Sequence, residues 1–567
     1  MSEKLDLVFL WHMHQPDYRD HTSGEFILPW TYLHALKDYT DMAAHFERHP
    51  KVRGVVNFVP VLAEQIEDYI AQFDQKRFRD PLLRMLAAPD LDHLGPEERV
   101  KLAQACFRNN HQTMLTPFAP YKRLYEVYRS LANDPETNGD GPAPDLGYLS
   151  GGYFTDLVVW YHLAWTGESE RRACPLITDL MKKGAGFTLD ERRNLLTLLG
   201  DILRDLLKRY RRLAESGNIE LCCTPQTHPL SPLLLDFATA RESVPEAPLP
   251  QSPGYPGGPA RVDAQIRAAQ ASHAARFGAA PAGMWPAEGA VSQDFVARLG
   301  TQGVGWAASG EGVLRASLTR SGIEDPAPAY RPWQPVAAPG LTMFFRDDRL
   351  SDLIGFEYSK WHGETAARHL IGELEGIMAR APAGETPVVC IILDGENAWE
   401  HYPYNGYYFF EELYSRLQAH ERIRTTTFRD LLAEGLPAAK PLPQLSAGSW
   451  VYGTLSTWIG DADKNRAWDL LCAAKGAYDQ ALPGLSESER GLAQTQLAVC
   501  ESSDWFWWFG DYNPAPAVAS FDRLYRRNLT NLYELLKLPP PTELEQPVSS
   551  GSRHATHDGT MRRAQEN

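Results

Sequence analysis

The chain has 567 residues, 43% of them hydrophobic and 23% charged, which suits two or three folded domains and is too long for one small core. A formal net charge of −16 argues against nucleic acid or an anionic membrane surface as the main partner, and no apolar run reaches a membrane span. The seven cysteines are odd in number and lack metal-ligand spacing, so buried thiols in a reducing, cytoplasmic compartment are expected, without a signal peptide before the first strand.

Leu7-Val8-Phe9-Leu10-Trp11 predicts a buried strand that ends in His12-Met13-His14-Gln15-Pro16. Strand alternation puts His12 and His14 on one face, where they could bind zinc or hydrogen-bond a ligand's hydroxyls. Residues 38–48 read as an amphipathic helix, 52–60 as a second strand and 62–73 as another helix, an alternation that predicts a parallel α/β architecture. Residues 78–133 are predicted to be mostly helical, and 134–145 form a Pro/Gly/Asp/Asn surface insertion. After a long amphipathic helix at 189–215, Ile219-Glu220-Leu221-Cys222-Cys223 predicts a strand with an acid inside it. A buried Glu is costly unless it is hydrogen-bonded or functional.

Residues 243–260 are dense in Pro and Gly and are expected to form a surface excursion. Gly283-Met284-Trp285-Pro286-Ala287-Glu288 presents Trp285 and Glu288 at a strand end, and further strands are predicted at 303–308 and 341–345. The latter stops at Arg346, placed to hold a neighbouring carboxylate by a bidentate pair. The apolar run at 387–393 predicts a strand buried on both faces, with Asp394 as its last residue and Gly395 letting the backbone turn away. In a parallel barrel that strand end is where active sites are assembled. A Pro/Ala linker is expected at 437–443, then a largely helical part carrying Asp504-Trp505-Phe506-Trp507-Trp508-Phe509, then a disordered tail over 541–567.

Acids at strand ends (Glu220, Glu288, Asp394) with Asp504, set among Trp residues, point to glycoside chemistry. There is no phosphate-binding glycine loop, no Cys/His zinc cluster and no nucleophilic Ser or Cys motif, and no cofactor or metal is expected. The residues alone do not say which acid does what.

Five motifs in order, His12-Met13-His14-Gln15-Pro16, Gly217-Asn218-Ile219-Glu220, Gly283-Met284-Trp285-Pro286-Ala287-Glu288, Asp394-Gly395-Glu396-Asn397-Ala398-Trp399-Glu400 and Ser503-Asp504-Trp505-Phe506-Trp507-Trp508-Phe509-Gly510, resemble the five sequence regions of glycoside hydrolase family 57. The variants are most similar to its α-amylase and amylopullulanase branch. The resemblance implies a retaining α-glucan enzyme on an incomplete (β/α)7 barrel (residues 1–430), followed by a mainly α-helical domain (431–540) that contributes to the cleft. By the same resemblance Glu288 matches the nucleophile and Asp394 the general acid/base. His12, His14, Glu220, Trp285, Trp399, Asp504 and Trp507 match positions lining the glucose site. The implied partner is an α-glucan or maltooligosaccharide. A 4-α-glucanotransferase or branching enzyme would use the same carboxylates. A zinc-dependent polysaccharide deacetylase, suggested by His12 and His14, and a non-catalytic glucan-binding protein are the alternatives from other classes.

Overall fold

The computed structural model describes residues 4–131, 145–435, 438–552 and 561–563. All but the last residue of the expected 134–145 insertion lies outside them. The strands are β1 (Leu5–Met13), β2 (Gly54–Phe58), β3 (Ile219–Cys222), β4 (Gly283–Met284), β5 (Trp306–Ser309), β6 (Trp333–Pro335), β7 (Thr342–Phe345), β8 (Val388–Asp394), β9 (Ile423–Thr425) and β10 (Lys440–Leu442).

Two sheets share the barrel. In one, β3, β2, β1 and β8 run parallel in that order; in the other, β7, β5 and β4 do. Single parallel bridges join them, Cys223 to Met284 on one side and Arg346 to Cys390 on the other. Seven parallel strands therefore close into a ring whose two seams are only one residue pair wide, a (β/α)7-type barrel that is incompletely hydrogen-bonded. β9 adds to the start of β1, and β6 and β10 extend the second sheet beyond β7.

Strand alternation sorts the side chains. Val8 and Leu10 of β1 and Val388, Cys390 and Ile392 of β8 belong to a cluster inside the ring, whereas Leu7, Phe9 and Trp11 and Val389, Ile391 and Leu393 pack outward against helices. Phe428 and Leu431 of the helix Phe428–Glu434 enter the interior cluster and plug its floor. Gly283 is required by space: a Cβ there would stand 2.2 Å from the Trp306 indole, which fills the same interior.

Helices Ala462–Ala481, Glu487–Cys500, Asp504–Trp508 and Ala515–Leu535 form the C-terminal helical region. Its junction with the barrel is built from buried polar contacts. Arg261 makes a bidentate pair with Glu501 (2.6 and 2.9 Å), which also accepts from Tyr255 Oη and Gln265 Nε2 at 2.7 Å each. The Ser503 N–H donates to the His228 carbonyl at 2.9 Å.

Residues 243–260 lie mostly at the surface, as expected; Tyr255 is buried, and the N–H groups of Gln251 and Ser252 donate to Asp469, so this stretch also seats the helix Ala462–Ala481. Two expectations are corrected. The expected linker contains β10, held by pairing with β6. Residues 541–552 are ordered, because Leu544 and Val548 are buried and Asp522 accepts from the N–H groups of Val548 and Ser549. Among the described residues no helix is long and apolar enough to cross a membrane.

Candidate active site

The carboxyl ends of the barrel strands open into a cavity of about 500 Å³ that meets the helical region. Asp394 inherits the inward face of β8 from Ile392, and His12 that of β1 from Leu10; the two residues are paired across the strands. Gly395 follows as a close-packing glycine: its N–H donates to the His12 carbonyl at 2.7 Å, and a Cβ would stand 2.1 Å from Met13 Sδ. The chain bends at Gly395 as expected, and space is a second reason for glycine there.

Glu288 follows β4 in a left-handed backbone conformation (φ 57°, ψ 23°), which costs a non-glycine residue roughly 1–3 kcal/mol and is held where surrounding structure enforces it. Trp450 supplies the enforcement. Its N–H donates to the Glu288 carbonyl at 3.1 Å and its indole Nε1–H to Glu288 Oε2 at 3.0 Å. Burial pushes the Glu288 carboxyl up to about 8, with the neighbouring Asp394 charge adding to the shift and the Trp450 bond opposing it. Burial likewise raises Asp394, to about 6, against the Asn397 amide (3.0 Å) and the charges of His14 and Arg346.

The histidines form a relay. Burial, with the neighbouring His14, lowers His12 to about 3, and burial also holds His228 well below its usual value, so both rings are neutral near pH 7. Neutral rings fix the bond directions. Ser503 Oγ–H donates to His228 Nδ1 (2.8 Å), His228 Nε2–H to His12 Nε2 (3.1 Å), and His12 Nδ1–H to Asn57 Oδ1 (2.7 Å). His14 stacks on His228 with ring centres 3.8 Å apart and bonds Asp504 through Nε2 at 2.9 Å, leaving its buried Nδ1 without a partner. Among the described residues, His14, His228 and Asp504 bring one potential ligand atom each within 4.8 Å of one another and are the group able to hold a cation.

His12, His14, Glu288, Asp394, Asp504 and Trp507 thus line one cavity. Three expected residues do not. Glu220 lies two residues before the end of β3, inside the packed barrel, where it accepts from Trp306 Nε1–H (2.7 Å) and the Arg429 N–H (2.8 Å) at the start of the floor helix. Trp285 belongs to the interior cluster, fully buried behind Trp450. Trp399 is buried among Trp11, Phe410 and Tyr402 with its indole N–H on the Gly395 carbonyl at 2.9 Å. Trp285 and Trp399 support the site from behind, whereas Glu220 holds the barrel floor. Arg346 holds two carboxylates, Asp348 (3.0 Å) and Asp352 (2.9 Å), one nitrogen each, in place of the expected bidentate pair.

Sequence reasoning missed Trp450 and His228. Neither stands at a strand end or in a helical period; the one available signal was His228 beside Pro229 and Pro232 in a loop following a strand.

The family model for glycosyl hydrolase family 57 matches residues 8–440. The chain belongs to glycosyl hydrolase family 57. Membership makes it a glycosidase or a glycosyl-transfer enzyme. Solved structures with the same fold include the family 57 branching enzyme of Thermococcus kodakaraensis (15% identity, 94% of this chain and 90% of that one, TM-score 0.59). The α-amylase AmyC of Thermotoga maritima (13%, 94% and 93%, 0.55) and the 4-alpha-glucanotransferase of Thermococcus litoralis (13%, 94% and 60%, 0.51) also share it. These similarities place the family 57 barrel and the helical region in one recurring arrangement.

Proposed function

We propose that this protein is a retaining α-glucan-active enzyme that cleaves α-1,4 glucosidic bonds by double displacement, with Glu288 as nucleophile and Asp394 as general acid/base. The observation that carries the reading is that these two carboxylates, each fixed at a strand end, line one cavity with Trp450, Trp507 and Trp508. Aromatic faces beside paired carboxylates suit a sugar ring and its scissile oxygen. The named structural neighbours, a branching enzyme, an α-amylase and a 4-alpha-glucanotransferase, support α-glucan as the substrate class.

In the first step a Glu288 oxygen attacks the anomeric carbon, the bond from that carbon to the glycosidic oxygen breaks, and the Asp394 proton passes to the departing oxygen. In the second, Asp394 takes a proton from water or a sugar hydroxyl as that oxygen displaces Glu288 from the ester. The reaction needs the proton on Asp394 and an ionised Glu288, and burial raises both carboxyls. The required arrangement is the one substrate favours: the glycosidic oxygen gives an Asp394 proton an acceptor, and the electron-poor anomeric carbon favours an ionised Glu288, whose Oε2 accepts from Trp450.

Hydrolysis and transfer share the glycosyl-Glu288 intermediate and differ only in the acceptor. The deciding experiment is incubation with maltoheptaose and, separately, pullulan, with products resolved by size and linkage. Shorter maltooligosaccharides alone identify a hydrolase, and maltotriose from pullulan adds α-1,6 cleavage. Longer, cyclic or branched products identify a transferase or branching enzyme. No change on either substrate would sink the reading and turn attention to a metal-dependent deacetylase using His14, His228 and Asp504, tested by bound zinc and by loss of acetate release on chelation.

A further inference from the structure

The last described residues return to the cavity. Met561 and Arg562 line it beside Trp507, Trp508 and Phe356. The Arg562 guanidinium lies 4.4 Å from the Trp507 ring centre and 4.6 Å from that of Tyr512, and Nη2 reaches Asn513 Oδ1 at 3.4 Å. Arg563 turns to the opposite wall, pairing with Glu357 and lying 5.0 Å from the Phe356 ring. Residues 561–563 thus cross the cleft from the helical region to the barrel loop, anchored on each side by one arginine.

A guanidinium and a sugar ring compete for the same surface. Both stack on an aromatic face, the cation through the ring quadrupole and the sugar through its C–H groups. Trp507 is the residue expected from sequence to meet the sugar, and its ring is occupied by a side chain of the same molecule.

Resting on the α-glucan reading, we infer that Arg562 is a residue that restrains substrate binding: its guanidinium covers the Trp507 face at the cavity wall and competes there with a glucose unit. A form ending at Ser552 keeps the anchors of that residue, since the Ser552 N–H donates to the Asn513 carbonyl and its own carbonyl accepts from Ala515 N–H.

The test compares the full chain, a form ending at Ser552, and full-length Arg562→Ala, measuring kcat and KM on maltotriose and on maltoheptaose. Both altered forms should lower KM for maltoheptaose by roughly 3- to 10-fold, the size that displacing one stacked cation carries. Turnover with an unchanged KM in both forms overturns the inference alone. No turnover in any of the three overturns the α-glucan reading, and this inference with it. Should truncation impair folding, Arg562→Ala decides, because Arg563 keeps its anchor on Glu357.

Discussion

His12 and Asp394, 382 positions apart, face each other in register across β1 and β8, and the two strand ends form one wall of the cavity. Glu288 comes to the same cavity from the second sheet, and Asp504 from the helical region. The three carboxylates thus belong to three separate rigid supports, a construction that fixes their spacing without relying on one loop.

Glu288→Gln should cut turnover of maltooligosaccharides by on the order of 10⁴-fold or more, while binding of the substrate persists, because only the nucleophile is lost. Glu288→Ala with azide should release a β-glycosyl azide, the product of attack from the vacated face. Product analysis that finds neither loss nor azide adduct removes Glu288 from this role.

The pH profile separates the two acids. Asp394 raises Glu288 through its negative charge, so Asp394→Asn should lower the Glu288 value from about 8. The nucleophile must be ionised, so the acid limb of kcat/KM on an aryl α-glucoside with a good leaving group then moves to lower pH. Trp450→Phe removes the bond that favours the ionised form and should move the same limb upward. A limb that stays fixed in both variants would show that it does not report Glu288.

Glu220 is a floor residue, and its substitution should register in stability before activity. Gln offers one acceptor oxygen to two donors, Trp306 Nε1–H and Arg429 N–H, at a cost of about 1–3 kcal/mol. Burial raises the Glu220 carboxyl from 4.5 to about 7, so the folded state binds more protons than the unfolded one across that window. The wild-type advantage over Glu220→Gln is therefore largest near the lower bound and shrinks as pH rises through about 7. Thermal melts at several pH values check the sign; an intact melting point with lost turnover would return Glu220 to the sugar site.

Arg261→Ala leaves Glu501 buried without its cation and should destabilise the fold by about 3–5 kcal/mol. Three residues on, Asp504 holds His14, so activity should fall at temperatures where the barrel remains folded. Calorimetry and activity measured on the same sample test this, and coincident loss of both would show that the junction and barrel melt as one unit.

The sequence by itself marked the seven strands of the ring, since these are short apolar runs whose alternation or continuity survives in one dimension, and it did not mark β6, β9 or β10. It also marked the ends of those strands as the place for chemistry: Glu288, Asp394, His12 and His14 all reach the cavity. Tertiary structure decided which neighbours join them. Glu220 and Asp394 both belong to apolar strands, yet one faces the packed floor and the other the open end, because depth along a barrel depends on the stagger of all the strands. Trp285, Trp399 and Trp507 look alike as motif aromatics, but only Trp507 is left at the cavity once the others are enclosed by their neighbours. Trp450, His228 and Arg562 lie outside any local pattern. Their positions come from long-range closure, the packing of a loop, a helical region and a tail against strand ends, and no periodicity in the chain encodes that.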